Sequence, residues 1–140
     1  MSLPAHLTLR IVTPDRPILE EEVDEVEVPG ADGYFGVLPG HTPMLASLQV
    51  GELWYRKGAE KHYLSIAFGF AEVMPAQVTI LARIAERAEE IDVERAEAER
   101  QRAEAHLGKQ VPAGDFERAR ISMMKALVRL QVATRARTRG

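Results

Sequence analysis

The chain has 140 residues, 46% of them hydrophobic, a net charge of −3 and no cysteine. That supplies a core for one ordinary domain, or a small domain with an appendage. It excludes disulfides and thiolate metal sites, and the slight acidity argues against general nucleic-acid binding.

Taken in chain order, the first signal is alternation. In "LTLRIV", Leu7, Leu9 and Ile11 share one face, with Thr8 and Arg10 on the other. The start itself, "MSLPAHLTLRIVTPDRP", lacks the charged-then-apolar layout of a secretory signal. "VDEVEV" then sets Val26 and Val28 against Glu25 and Glu27. Period two with β-branched residues marks a strand. The next stretch, "GYFGVLPGHTPMLASLQVGEL" (33–53), places glycines, prolines and a histidine among apolar residues. A phosphate loop, a catalytic turn and a structural corner all fit it at first sight. "ELWYRKGAEKHYLSIAFGFAEV" predicts a hairpin turning at Lys57-Gly58. "VTILAR" sets Val78 and Ile80 against Thr79, with Leu81 breaking the polar row. Breakers such as "TPDRP", "PGADG" and "LPGHTP" lie between these runs. Short strands punctuated in this way predict an all-β sandwich or barrel.

Near Glu86 the texture changes. "ERAEEIDVERAEAERQRAEAHL" is rich in Ala, Glu and Arg, all good helix formers. Asp92 is placed to be its N-cap, with Glu94 in the first turn. Val93, Ala96, Ala103 and Leu107 form an apolar stripe interrupted by Arg100. Gly108 suits the left-handed C′ position, and Pro112 bars continuation. Asp115 is then expected to cap a second helix, with a stripe of Phe116, Ala119, Met123, Ala126, Leu127 and Leu130. The short connection predicts an antiparallel hairpin. The fold class expected is therefore α+β in two parts, an all-β sandwich or barrel over 1–86 and an antiparallel two-helix hairpin over 87–140.

The first helix offers mainly alanines, which bury little area at about 25 cal/mol per Å². A weakly held hairpin follows, and it can be read as an arm that moves or as a fixed cover on one face of the sheet. Acids outnumber bases from Glu86 to Leu107, whereas Arg118 to the end holds Arg118, Arg120, Lys125, Arg129, Arg135, Arg137 and Arg139 with no acid. The two helices can pair by charge, or the second can carry its charge to an acidic partner; each can hold in a different state.

No catalytic constellation emerges. The glycine stretch lacks the Gly-Lys-Ser/Thr and the strand-to-helix setting of a phosphate loop, and no βαβ unit surrounds it. The four histidines, His6, His41, His62 and His106, show no metal-ligand spacing. No serine sits in a Gly-x-Ser-x-Gly elbow, and no run of about 18 apolar residues spans a membrane. An interaction protein is expected, without catalytic residues or metal.

"GYFGVLPGHTPMLASLQVGEL", "IAFGFAEV" (66–73) and "VTILARIAERAEEIDVERAEAERQRAE" (78–104), in this order and spacing, resemble the epsilon-subunit family of F-type ATP synthases. The resemblance spans almost the whole chain, and is weakest in "GKQVPAG" and at the end. It implies a non-catalytic central-stalk (rotor) subunit of a proton-translocating ATP synthase. The β-sandwich would dock on the gamma subunit and the c-ring. The hairpin would extend towards the alpha and beta subunits and restrain ATP hydrolysis. It also implies a peripheral place on the cytoplasmic face of the bacterial inner membrane, with no required cofactor.

Carried over by residue, Tyr34, Leu38, Pro39, His41 and Pro43 are the docking candidates, held by turn geometry from Gly33, Gly36 and Gly40; the glycines also fit a purely structural corner. Tyr34 departs from the acid many relatives have there. ATP as a regulatory ligand is implied by "IDVERA", giving Ile91, Asp92, Arg95 and Ala96, with Glu86, Arg102, Lys125 and Arg129. Lys125 stands where an Arg is typical. The same residues also fit a capping Asp92 and a solvated charge network. The inhibitory basic face is Lys125, Arg129, Arg135, Arg137 and Arg139. A stand-alone nucleotide-sensing module, needing neither gamma nor the c-ring, is the alternative. A nucleic-acid binder using the arginine tail lacks aromatic stacking residues there.

Overall fold

A computed structural model describes residues 3–109 and 112–139, with side chains as far as residue 136. Met1–Arg87 and Ala88–Gly140 form two compact units.

The first unit holds seven strands: β1 (Leu7–Val12), β2 (Pro17–Val23), β3 (Glu25–Gly30), β4 (Gly33–Val37), β5 (Met44–Lys57), β6 (Glu60–Met74) and β7 (Gln77–Arg87). They hydrogen-bond in the order β2-β1-β7-β6-β5-β3-β4. Every pairing is antiparallel except β1 with β7. β2 touches β5 although β1, β7 and β6 stand between them in the ladder, so the sheet folds over into a sandwich. The alternation read from the sequence is the core: Leu7, Leu9, Ile11, Val26, Val28, Val78 and Ile80 are fully buried. Leu53, Leu64 and Ile66 join them from β5 and β6. Each such side chain contributes about 1.5–3 kcal/mol on burial.

Two details shape this unit. The β5–β6 hairpin closes with Lys57 opposite Glu60, so its loop is Gly58-Ala59, one residue later than expected. Gly58 takes φ 60°, the sense that matches strand twist in a two-residue turn. Midway along β6, Phe68 and Gly69 also have positive φ, and Phe68 is skipped in the pairing with both neighbouring strands. A Cβ on Gly69 would lie 2.0 Å from the Leu81 carbonyl oxygen, so only glycine fits the bend.

The glycine-rich stretch is a corner between β4 and β5. Gly40, at φ 89°, donates its N–H to the Pro75 carbonyl at 2.7 Å, and the His41 N–H reaches the Leu38 carbonyl at 3.1 Å. Gly33 also has positive φ, but Gly36 does not; it is an ordinary β4 residue opposite Glu27. The turn-forming role expected of Gly36 is thus corrected.

The second unit comprises a 3-10 turn (Ala88–Glu90), α1 (Val93–Leu107) and α2 (Ala113–Arg139). The Asp92 side chain accepts from the Arg95 N–H at 3.1 Å, as an N-cap does. Gly108 is the C-cap in right-handed conformation, φ −81°, so the left-handed ending expected there is not used. Asp115 does not cap α2. The Pro112 carbonyl accepts from the Asp115 and Phe116 N–H groups at 3.0 and 3.1 Å, which puts the helix start at Ala113, two residues before the expected cap. Asp115 instead sits in the first turn, 3.7 Å from Arg118.

What α1 and α2 bury is mostly alanine: Ala96 and Ala103 from α1, Ala119, Ala126 and Ala133 with Val132 from α2. Ala119, Ala126 and Ala133 recur every seven residues, with half-buried Met123 and Leu130 between them, which is a heptad seam. Leu127 points away from that seam and Phe116 is exposed in the first turn, so both drop out of the expected stripe.

Candidate functional site

The hairpin gathers a charged cluster. On α1, Arg95, Glu99 and Arg102 follow each other at helical spacing on one face. Arg95 donates its Nε–H to Glu99 Oε1 at 3.3 Å. From α2, Arg129 donates to Glu99 Oε2 at 3.0 Å, so the two helices meet at one carboxylate. The Arg129 side chain is only 14% exposed, whereas Arg95 is 72% exposed.

The structure thus brings Arg95 and Arg129, two of the candidates named from the sequence, to one carboxylate that the sequence reading passed over. Glu99 had a signal, its i,i+4 spacing from Arg95, which reads equally as an ordinary solvated pair. Lys125 is half-buried one turn before Arg129, and Arg102 is exposed. Ile91 and Ala96 are buried, so they pack rather than offer polar contacts. Asp92 is engaged as the cap. Glu86 lies in the other unit, near the end of β7 opposite Ser65.

A second charge cluster is separate from this one. Arg100 donates to Glu97 and, at 2.7 Å, to Glu104. The Arg100 hydrogen bond holds the Glu97 carboxyl below its usual pKa, and Glu97 raises that of Arg100 in turn. Of the expected inhibitory face, Arg135 is half-buried, and the Arg137 and Arg139 side chains lie outside the described residues.

On the sandwich, Leu38 and Pro43 are exposed and Pro39 and His41 half-buried. Glu25, Gly36, Leu38, Pro39, Gly40 and His41 line one groove. The His41 ring Nδ1–H donates to the Thr42 carbonyl at 2.7 Å. The Tyr34 hydroxyl accepts from the Glu52 N–H at 3.1 Å, which anchors a ring that is half exposed.

A further surface escaped the sequence reading. Leu45, Phe70 and Leu81 are 76, 60 and 52% exposed. Phe70 is paired across the ladder with Leu81 on β7 and with Ser47 on β5, two residues from Leu45. Alternation thus places all three on the outer face of β5, β6 and β7, with Met74 further along β6. Apolar side chains clustered on an outer sheet face mark an interaction surface. The break in the polar row at Leu81 was its trace in the sequence.

Comparison with known proteins agrees with both units. The family ATP synthase, Delta/Epsilon chain, beta-sandwich domain matches residues 6–88. Its partner family, the Delta/Epsilon long alpha-helix domain, matches residues 89–134. An ATP synthase epsilon chain of Syntrophobacter fumaroxidans is 50% identical, over 91% of this chain and 95% of that one. ATP synthase epsilon chain 2 of Syntrophotalea carbinolica is 47% identical, over 92% and 94%. A chain in the Euglena gracilis mitochondrial ATP synthase OSCP/F1/c-ring assembly superposes with TM-score 0.83 at 27% identity, covering 96% of this chain and 84% of that one. A chain of the Tetrahymena thermophila mitochondrial ATP synthase central stalk and c-ring shares the fold, with TM-score 0.61 at 12% identity, over 93% and 95%. With both of its units matched and close relatives along nearly its whole length, the chain belongs to the ATP synthase Delta/Epsilon chain family and is an epsilon-type member of it.

Proposed function

We propose that the chain is a non-catalytic rotor subunit of a bacterial F-type ATP synthase, acting at the cytoplasmic face of the inner membrane. Its sandwich anchors on the gamma subunit and the c-ring. Its hairpin reaches transiently to the alpha and beta subunits and restrains ATP hydrolysis. The observation that carries the anchoring role is the apolar patch of Leu45, Phe70 and Leu81, which a chain acting alone would have no reason to expose. The corner bearing Tyr34, Leu38, Pro39, His41 and Pro43 offers a second, more polar contact. The assemblies around the two structural neighbours, which include the c-ring, support the same placement.

The hairpin's role follows from its energetics. A helix pair that buries alanines gains little from packing, and so detaches at low cost. Once extended, the α2 residues Lys125, Arg129, Arg135, Arg137 and Arg139 offer positive charge to acidic beta-subunit surfaces. Salt weakens such contacts, because exposed charges are screened over about 8 Å at physiological ionic strength.

ATP is the proposed regulatory ligand of the folded hairpin. Arg95, Arg102, Lys125 and Arg129 are the donors suited to its phosphates, with Arg as the forked one. A ligand that prefers the folded state shifts the population towards it, by no more than its differential affinity.

Truncation before Asp92 tests the braking role. A complex reassembled with the shortened chain should stay coupled and hydrolyse ATP faster than one with the full chain. Unchanged hydrolysis would remove the brake from the account. Phe70→Asp tests the anchor: it should weaken binding to the gamma subunit at least tenfold, and unchanged binding would exclude the patch. Charge reversal beside His41 tests the corner by the same measurement.

A further inference from the structure

We propose that the Glu99 carboxylate is a built-in competitor for the triphosphate of ATP, clasping Arg95 and Arg129 when nucleotide is absent and setting the concentration at which nucleotide replaces it. This rests on the ATP reading above.

The geometry is that of a bound anion supplied by the chain itself. Each Glu99 oxygen is used once, Oε1 by Arg95 of its own helix and Oε2 by Arg129 of the other. Glu99 also stands between Arg95 and Arg102 on the face of α1 that meets Arg129. It is thus the acid at the centre of the cations proposed to hold phosphate. Carboxylate and phosphate oxygens accept from the same guanidinium donors, so the two anions exclude each other at these groups.

The unequal exposure of the two arginines fixes the order of events. Arg95 is 72% exposed and is released from Glu99 at little cost. Arg129 is 14% exposed, so of the two arginines it is the one that gives up Glu99 less readily unless another anion takes its place. A phosphate on Arg129 supplies that replacement. Nucleotide therefore replaces an internal ion pair instead of adding to an empty cluster, and its apparent affinity is reduced by the work of displacing Glu99. Two partly exposed ion pairs amount to about a tenfold reduction.

Calorimetric titration of the full chain with ATP tests this, using Glu99→Gln, Glu99→Asp and Glu104→Gln. The last removes the same charge from the separate Arg100 cluster. Glu99→Gln should bind ATP about tenfold more tightly than the natural chain, Glu99→Asp should fall between them, and Glu104→Gln should match the natural chain. Hydrogen exchange of the helices without ATP should be faster in Glu99→Gln, and ATP should slow it by a larger factor than in the natural chain. Binding by the natural chain with unchanged or weaker binding by Glu99→Gln would overturn the competition and leave the ATP reading intact. Equal tightening in Glu104→Gln would reduce the effect to net charge and overturn it too. No heat with any variant at millimolar ATP would overturn both readings.

Discussion

The sandwich and the hairpin solve the same problem, hiding apolar surface, with different materials. The sandwich uses large branched side chains such as Leu53, Ile66 and Ile80, all fully buried and drawn from distant parts of the chain. The hairpin uses alanines spaced by heptads along two helices that follow one another in sequence. Large side chains contribute more on burial and tolerate truncation badly. Alanines allow close approach, but there is little to lose if the helices part. The difference suits the proposed division of labour, in which one unit stays docked while the other comes and goes.

The largest effect that would sharpen this contrast comes from the sandwich. Leu53→Ala should cost about 2–5 kcal/mol, seen as a lower midpoint in urea unfolding of the strands. Ala126→Leu should cost about 1–3 kcal/mol by overpacking the seam. Its mark should be faster hydrogen exchange in α1 and α2 with the strands unchanged; equal acceleration in both units would break the contrast. Asp92→Ala removes the α1 cap and should cost the hairpin about 1 kcal/mol, read from helix content by circular dichroism on heating.

The smallest effect concerns Asp24, beside the β5–β6 turn. The Gly58 N–H donates to it at 2.7 Å and His6 lies at 3.0 Å, and these hold its carboxyl below the ordinary value. A lowered folded-state pKa stabilises above the unfolded pKa, and that contribution is lost as pH falls through the folded value. Asp24→Asn should therefore be less stable than the natural chain near neutrality, with the gap closing in acid. A gap that widened in acid would contradict the assignment.

Local patterns were legible in the sequence and distant ones were not. Leu7, Leu9 and Ile11 announced a buried face by period two, and Asp92 announced a cap, because both depend on neighbours a few residues away. The parallel pairing of β1 with β7 joins the first and last strands and leaves no local trace. The bend at Phe68 and Gly69 depends on how closely the Leu81 backbone approaches Gly69, which is again a distant contact. Leu127 was read as apolar and therefore buried, but seven-residue spacing puts Ala126 on the seam and turns Leu127 outward. Within the candidate sites, Arg95 and Arg129 could be named from spacing and resemblance. Glu99 could not, because its meaning depends on Arg129 arriving from the other helix. Leu45 and Phe70 were hidden for a similar reason: each is unremarkable alone, and only the β5–β6–β7 register makes them a patch with Leu81.

The central claim is that the hairpin opens while the sandwich stays closed. Native-state hydrogen exchange of the full chain, resolved to single amides, tests it most directly. The amides of α1 and α2 should exchange together, through an opening of distinctly lower free energy than that of β5, β6 and β7. If helix and strand amides exchange at one common free energy, the chain opens only as a whole, and the account of a detachable arm is wrong.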